Sequence, residues 1–328
     1  MRWTIKPKPD PSKVARLSKE LAVDSTTSFL LAQRGIETFE EAKNFFRPDL
    51  SDLHDPFLMK DMEKAVSRIE EAVENQENIL VYGDYDVDGT TSVALMSSYL
   101  LSFYPNVATY IPDRYEEGYG ISYKGIDFAE DNNFSLIIAL DCGIKAIDKV
   151  AYAFKKEVDF IICDHHRPGA EIPKAKAVLD PKQEDCDYPF KELCGCGVGF
   201  KLIQALASKK GATIDDLVLY LDLVATAIGA DIVPIVGENR ILAYHGLKVI
   251  NEKLKVVCPG SVYFDSKFFR DVLIIAPSNS AIALKIFYIC YLEALAFFQG
   301  LNKLGGFQHG IKSTRVQPGV ATFHDLNF

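Results

Sequence analysis

Three aspartates, Asp84, Asp86 and Asp88, occupy alternate positions directly after the apolar run at residues 79–82. Carboxylates this close together repel one another unless a cation lies among them. Oxygen-rich clusters suit hard divalent ions such as Mg²⁺ and Mn²⁺. The same spacing opens a calcium-binding EF-hand loop, but that loop follows a helix and needs a Glu at the position that Leu95 occupies here. We therefore interpret the three acids as candidate ligands of a divalent metal site.

Acidic and imidazole side chains also follow three further apolar runs. They are Asp141 after residues 136–140, Asp164, His165 and His166 after residues 160–163, and Asp231 after residues 224–228. A single acid after a strand is most often a helix cap, and a single His is more often a core or surface residue than a ligand. Four such runs are hard to explain as independent caps, and ligands of open α/β sheets gather at the carboxyl ends of strands. The set therefore predicts four strand ends that meet at one metal centre.

The segments that carry these residues alternate between strand-like and helix-like patterns. The predicted strands span residues 79–82, 108–111, 136–140, 160–163 and 177–179. The predicted helices between them span residues 91–103, 144–156 and 197–208. Alternation of this kind predicts βαβ units and an α/β fold with a doubly wound, mostly parallel sheet. Helical apolar spacing at residues 11–21 and a Thr38 cap before residues 39–46 predict helices ahead of this sheet.

The composition limits the class of protein. The 328 residues carry a formal net charge of −9, from 36 Lys and Arg against 45 Asp and Glu. A protein that coats nucleic acid through charge alone would be basic, so any nucleic acid must bind a local patch. The seven cysteines are odd in number and irregularly spaced, and the charged, proline-containing start is unlike a signal peptide. We therefore expect a cytoplasmic protein with reduced thiols.

The end of the chain has a different character. Residues 272–298 are nearly all apolar. Within them, residues 281–298 are only just long enough to span a membrane, and they include Lys285 and Glu293. We therefore predict a buried or interface helix there and no membrane association.

Four motifs in order along the chain resemble those of the DHH phosphoesterases, a family of two-metal, usually manganese-dependent enzymes. The motifs are Asp84-Tyr-Asp-Val-Asp-Gly89, Asp141-Cys-Gly143, Asp164-His-His166 and Gly229-Ala-Asp231. Connecting segments at residues 110–120, 178–182 and 188–201 resemble the RecJ family, the bacterial 5′→3′ exonucleases specific for single-stranded DNA. The resemblance covers about residues 10–255. It implies a metal-dependent hydrolase of single-stranded DNA in recombination and repair, with other repair proteins as candidate partners.

The resemblance also implies a role for each motif residue. Two divalent ions, Mn²⁺ or Mg²⁺, would be held by Asp84, Asp86, Asp88, Asp141, His165 and Asp231. Asp141 would bridge the two ions, whereas Asp84 would lie in or beside the ligand set. His166 would face the scissile phosphate, and Asp164 would orient the imidazoles, as ligating histidines generally require. The candidate catalytic residues are therefore His166, Asp164 and Asp84.

Candidate substrate contacts lie near the same strand ends. Three basic side chains could hold phosphates or could be ordinary solvated charges, namely Arg114, Lys145 and Arg167. Three tyrosines could stack on bases or pack within the protein, namely Tyr115, Tyr119 and Tyr123. Further along, residues 305–310 resemble the Gly-Gly-His phosphate-gripping motif of the family, although Phe307 takes the histidine position and His309 is the nearest substitute.

Three regions are therefore predicted. They are an N-terminal helical extension at residues 1–48, a catalytic domain at residues 49–255, and a short, atypical or truncated C-terminal region at residues 256–328. A phosphodiesterase of short oligonucleotides or cyclic dinucleotides would share the four motifs, but residues 188–201 favour the RecJ family. A non-catalytic DHH scaffold protein would have lost ligands, whereas all four motifs are intact here. An inorganic pyrophosphatase would usually carry a His at the position of Tyr82.

Overall fold

A computed structural model describes residues 6–251 of the chain. Its sheet has five parallel strands in the order β2-β1-β3-β4-β5. The strands are β1 (Asn78–Gly83), β2 (Val107–Tyr110), β3 (Phe134–Leu140), β4 (Asp159–Cys163) and β5 (Ala177–Leu179). Strand β2 is added on one side of β1 and β3 on the other, so the strand order reverses between β1 and β3. The expected doubly wound α/β fold with a parallel sheet is confirmed, and ligands of such folds bind where the order reverses.

The α-helices of the described residues lie before, between and after these strands. They are α1 (Pro11–Leu21), α2 (Ser25–Gln33), α3 (Phe39–Phe46), α4 (Met62–Glu74), α5 (Val87–Leu101), α6 (Tyr123–Asp131), α7 (Ile147–Lys155), α8 (Gly195–Lys209), α9 (Leu221–Ala230) and α10 (Gly237–Asn251). Short 3₁₀ segments span Leu50–Asp52, Pro56–Leu58 and Ile214–Tyr220. The predicted helices at residues 11–21 and 39–46 coincide with α1 and α3.

The two faces of the sheet bury different layers. On one face, Val81 and Ile138 belong to a large core that includes residues of α4, α5, α8 and α9. On the other face, Leu80 and Ile137 belong to a second core that includes residues of α6 and α7. Because both faces are covered, the strands carry nearly continuous apolar runs instead of alternating with polar residues. This explains why the strands could be recognised in the sequence.

The helices α1 to α3 have a small hydrophobic cluster of their own, centred on Leu17 and Leu31. Arg240 of α10 donates from Nε to the Phe45 carbonyl at 2.6 Å, which ties α10 to the end of α3. The predicted domain limits at residues 48 and 255 are not decided by these contacts and stay predictions.

A buried polar network anchors α8 to α10. Lys201 of α8 and Glu238 of α10 are both almost fully buried, with Lys201 Nζ 2.9 Å from Glu238 Oε1. Lys201 also donates to the His54 carbonyl, and the Tyr188 hydroxyl donates to the second Glu238 oxygen. Each charge therefore has close partners, which a buried ion pair needs if it is not to destabilise the fold. The network holds α8 in place, and the amino end of α8 forms part of the candidate site.

The prediction of a strand at residues 224–228 was wrong, because these residues lie within the helix α9. Helix α9 packs against both α5 and α10, so nearly all of its side chains are apolar. A short apolar run of this kind has no periodicity that separates a buried helix from a buried strand. Asp231 therefore follows the end of a helix and not the end of a strand.

The predictions for residues 272–298, for the motif at residues 305–310 and for His309 fall outside the described residues. From residue 6 to residue 251, no helix combines the length and the apolar character needed to cross a membrane.

Candidate metal centre

The candidate site lies at the carboxyl edge of the sheet, where the strand order reverses. Asp84 follows β1, Asp141 follows β3, and the Asp164-His165-His166 motif follows β4. The three strands are adjacent, and their registers bring their carboxyl ends level with one another. The predicted convergence of these three strand ends is therefore present in the structure.

The turn from β1 into α5 brings the first three acids together. Asp86 caps α5, and its carboxylate accepts a hydrogen bond from the Gly89 N–H at 2.9 Å. Asp88 lies in the first turn of the helix, and Asp84 is buried at the end of the strand. A β-carbon added at Gly89 would lie only 2.5 Å from the Asp84 carbonyl oxygen. Glycine at position 89 therefore allows the helix to start directly against the strand end.

Asp88 is held by the amino end of α8. Its two carboxylate oxygens accept hydrogen bonds from the Gly195 and Cys196 N–H groups, each at 2.7 Å. The unpaired N–H groups and the dipole at a helix amino end favour a negative charge there. Burial nevertheless raises the pKa of Asp88 to about 7, aided by the negative charges of Asp231 and Asp86. Without a bound metal, the ionised form of this carboxylate is therefore destabilised by its burial.

Asp141 is equally buried and has an unusual backbone. Its φ of 59° lies in the left-handed region, which costs a non-glycine residue conformational energy and is often found at functional sites. Burial raises the pKa of Asp141 well above its usual range, and the charges of Asp88 and Asp86 raise it further. A β-carbon added at Gly195 would lie 2.5 Å from Asp141 Oδ1, so the amino end of α8 touches this carboxylate closely.

Three carboxylates converge on the His165 ring. His165 Nε2 lies 3.2 Å from Asp141 Oδ1, 3.6 Å from Asp231 Oδ2 and 3.8 Å from Asp88 Oδ2. Burial lowers the pKa of His165 to about 4, and the nearby His166 lowers it further. The imidazole is therefore neutral near pH 7, and these close approaches are not ion pairs.

The unpartnered atoms of this cluster fit a bound cation. Within residues 6–251, Asp141 Oδ1 and His165 Nε2 are buried and have no hydrogen-bond partner. Buried polar atoms without partners are costly and uncommon in native proteins. A divalent cation between them would satisfy both atoms, because carboxylate oxygens suit Mn²⁺ and a neutral imidazole is a common ligand of divalent metals.

Two overlapping groups in the described part of the chain could each hold an ion. In each group the possible ligand atoms all lie within 4.8 Å of one another. The groups are Asp141, His165 and His166, and Asp88, His165 and Asp231.

Asp84 and Asp86 lie beside these groups but belong to neither. The charge of Asp86 raises the pKa of Asp84, Asp88 and Asp141, so it acts on the same site. Four of the six predicted ligands thus lie within the two groups, and His166 joins them.

Asp164 organises the turn that presents the two histidines. Its Oδ1 accepts hydrogen bonds from the N–H groups of His165 and His166 and lies 2.8 Å from His166 Nδ1. Its Oδ2 accepts from the Ile144 N–H at 2.8 Å. Burial alone would raise the pKa of Asp164, but the hydrogen bond and charge of His166 outweigh it and lower that pKa. An ionised carboxylate can only accept hydrogen bonds, so His166 carries a proton on Nδ1. The hydrogen bond to Asp164 raises the pKa of His166.

Comparison with known proteins agrees with this geometry. Residues 78–228 match the model of the DHH family, N-terminal domain. These residues belong to the DHH family. The resemblance to DHH phosphoesterases, and to the RecJ family among them, is confirmed.

Curated relatives of this DHH domain are named as exonucleases. The single-stranded-DNA-specific exonuclease RecJ of Bacillus subtilis (strain 168) is 44% identical over 248 residues, which are 76% of this chain and 31% of the relative. RecJ of Escherichia coli (strain K12) is 34% identical over 232 residues, which are 67% of this chain and 39% of the relative. The chain therefore spans about a third of the length of these relatives.

Solved structures with a similar DHH fold contain metal. An exonuclease RecJ bound to manganese matches 78% of this chain and 67% of its own, with a TM-score of 0.60 and 27% identity. RecJ of Thermus thermophilus in complex with Mn²⁺ matches 90% of this chain and 44% of its own, with a TM-score of 0.65 and 25% identity.

The predicted phosphate contacts surround the DHH site but do not touch its acids. Arg114, Lys145 and Arg167 are exposed on loops at the carboxyl edge of the sheet. The Arg114 guanidinium lies 5.1 Å from the centre of the Tyr85 ring. None of the three forms an ion pair with another residue of the described range 6–251. Their role in substrate binding stays a prediction.

Two features of the DHH domain escaped the sequence analysis. One is the pair of N–H groups at Gly195 and Cys196 that holds Asp88. The other is Lys182, which follows β5 and whose positive charge lowers the pKa of His165 and acts in the same direction on Asp231. The strand-end rule that found the acids applies to β5 as well, so the Asp-Pro-Lys sequence after residue 179 was an available signal.

Proposed function

We propose that this chain carries the catalytic domain of a two-metal-dependent exonuclease that digests single-stranded DNA from its 5′ end in recombination and repair. The observation that carries the proposal is the convergence of three carboxylates on the neutral ring of His165, in the DHH domain of a chain related to RecJ exonucleases. The match covers only 31% of the length of that relative, so its activity is proposed for this chain and not transferred to it.

The metal ions would be held by Asp88, Asp141, His165 and Asp231, with Asp84 and Asp86 close enough to complete the two sites. Divalent ions bound there would activate the attacking water and neutralise the charge that develops on the phosphate. The amino end of α8 would favour the ionised form of Asp88 and hold it in place, and the left-handed backbone of Asp141 would aim its carboxylate into the site. His165 would act as a ligand, because its lowered pKa leaves it neutral at neutral pH.

The substrate phosphate would approach on the more exposed side of the cluster. The side chains of His166 and Asp231 are 43% and 32% exposed, whereas those of Asp88 and Asp141 are each 2% exposed. His166 has a raised pKa and an Nδ1–H fixed by Asp164, so its Nε2 could donate a hydrogen bond to a non-bridging phosphate oxygen. Two adjacent histidines with opposite pKa shifts suit two different roles, one as ligand and one as donor.

The test is digestion of 5′-phosphorylated, 3′-labelled single-stranded DNA with Mn²⁺, Mg²⁺ or EDTA. A duplex, a dinucleotide and pyrophosphate serve as alternative substrates. We expect metal-dependent shortening of the labelled strand with the duplex spared. Immediate release of the labelled end would contradict the proposed polarity.

Other outcomes would point to another function. Cleavage of the dinucleotide alone would show a working metal site that does not act on long strands. Calorimetric titration that found a single Mn²⁺ per chain would contradict the two-metal site. A protein that binds metal but cleaves none of the substrates would refute the proposed activity.

A further inference from the structure

We propose that Lys182 binds a phosphate of the DNA strand beside the metal centre, and that Asp180 fixes the turn that presents it. The inference deepens the proposed function and rests on it. It concerns residues that follow β5, the strand next to the one that carries Asp164, His165 and His166.

The position of Lys182 follows from the sheet. Strand β5 pairs in parallel with β4, and the Asp164 N–H donates to the Leu179 carbonyl at 2.9 Å. The turn after β5 therefore lies directly beside the Asp164-His165-His166 turn. Asp180 is fully buried there, and its Oδ1 accepts a hydrogen bond from the Lys182 N–H at 2.7 Å. The backbone of Lys182 is thus held at the same edge as the metal centre.

The Lys182 side chain places a positive charge near this centre without a close partner among the described residues. Its Nζ lies 4.0 Å from Glu192 Oε2, which is at the limit of an ion pair, and the side chain is only 22% exposed. Glu192 lies two residues before Cys194, the cap of α8, and the first N–H groups of that helix hold Asp88. Lys182 is therefore held between the turn after β4 and the amino end of α8, both of which border the metal centre.

Lys182 differs in this respect from the basic residues that the sequence suggested. Arg114, Lys145 and Arg167 are exposed, whereas the side chain of Lys182 is only 22% exposed. A partly buried lysine is less free to move than an exposed one, so it loses less conformational entropy when it holds a phosphate. Phosphate contacts of this kind supply much of the affinity of proteins for nucleic acid and make that affinity depend on salt.

The experiment compares Lys182→Ala with the wild-type chain on single-stranded DNA at several salt concentrations. The readouts are kcat and KM with Mn²⁺ and binding of the labelled strand by fluorescence anisotropy. We expect binding to weaken about tenfold or more and KM to rise accordingly. The slope of log affinity against log salt should fall by about 0.7, as expected for the loss of one phosphate contact to a single strand. Lys182→Arg should restore most of the affinity.

Lys176→Ala is the matched control, since it removes the same charge just before β5 at the opposite edge of the sheet. Lys176 is 52% exposed and its Nζ lies 3.5 Å from Asp159 Oδ1. This variant should leave the affinity and the salt slope unchanged. Calorimetric Mn²⁺ titration and thermal unfolding check that Lys182→Ala still folds and binds metal.

Each outcome decides the proposal. An unchanged salt slope and KM in Lys182→Ala, with altered Mn²⁺ affinity, would overturn it and assign Lys182 to charge balance among the acids. A wild-type chain that binds the strand without cleaving it would refute the proposed function, while the slope comparison would still decide the role of Lys182. A wild-type chain that neither binds nor cleaves single-stranded DNA would refute both.

Discussion

Asp88→Asn should stabilise the metal-free protein at alkaline pH and destabilise it at acidic pH. The side chain of Asp88 is 2% exposed, and burial raises its pKa from 3.8 to about 7. Between these values the folded protein holds a proton that the unfolded chain has released. The contribution of Asp88 to stability is therefore fully present below about pH 4 and is lost as the pH rises through about 7. The asparagine variant does not lose stability in this way, because an amide does not titrate in this range.

The magnitude follows from the two pKa values. A shift of about three units corresponds to about 4 kcal/mol in the free energy of unfolding between pH 4 and pH 8. The amide group of asparagine has only one acceptor oxygen, so it cannot accept from both Gly195 and Cys196, at a cost of about 1–2 kcal/mol. The variant should therefore be less stable than the wild type by about 1–2 kcal/mol at pH 4 and more stable by about 2 kcal/mol at pH 8. The gain at pH 8 corresponds to roughly 4–8 °C in Tm.

The assay is thermal unfolding in EDTA from pH 4 to pH 8, repeated with Mn²⁺. Mn²⁺ at about 100 times its Kd should stabilise the wild type by about 2.7 kcal/mol per site. The variant should not be stabilised by Mn²⁺ in this way. Asp222→Asn is the matched control, because burial also raises the pKa of Asp222 to about 7 and Asp222 belongs to neither ligand group. It should repeat the pH effect in EDTA and keep the Mn²⁺ response.

Two results would refute this reasoning. One is a difference in Tm between Asp88→Asn and the wild type that stays the same from pH 4 to pH 8. The other is an Asp88→Asn variant that is stabilised by Mn²⁺ as strongly as the wild type, which would show that Asp88 is not a ligand.

Three further variants test other parts of the site. Asp141→Ala should lose Mn²⁺ binding and activity together, and two tight manganese sites in a calorimetric titration of this variant would contradict the bridging role. His166→Ala should keep its metal but lose turnover, whereas loss of metal in that titration would exchange the roles of His165 and His166. Gly195→Ala should weaken Mn²⁺ binding and lose about 1–3 kcal/mol in urea unfolding, because the new methyl group would overlap with Asp141. Its control is Gly229→Ala, where an added β-carbon meets no atom within 4 Å. Equal stability of the two glycine variants would show that the contact with Asp141 is not tight.

Local patterns in the sequence were enough to predict much of the fold. The apolar run at residues 136–140 lies within β3, and Asp141 follows that strand as expected. The buried strands are recognisable because both faces of the sheet are covered, which makes each strand apolar along its whole length. The alternation of these runs with helical segments then predicts the parallel sheet, whose carboxyl ends must lie at one edge.

The limits of local patterns appear at α9. Its residues are apolar on nearly every side because it lies between α5 and α10, and this removed the periodicity that identifies a helix. Asp231 lies in one of the two groups that could hold an ion, and its role as a ligand stays a prediction, but the element that carries it was predicted wrongly.

The sequence by itself predicted most of the side chains that could bind metal and the strands that Asp84, Asp141 and His165 follow. Only the tertiary structure decided how these side chains differ from one another. His165 and His166 are neighbours in the chain, yet burial lowers the pKa of one and a hydrogen bond to Asp164 raises that of the other. Asp88 meets the N–H groups of α8 across 107 and 108 positions of sequence. Contacts between residues this far apart in the sequence arise when whole helices and strands pack together. The short-range spacing of apolar residues does not reveal them.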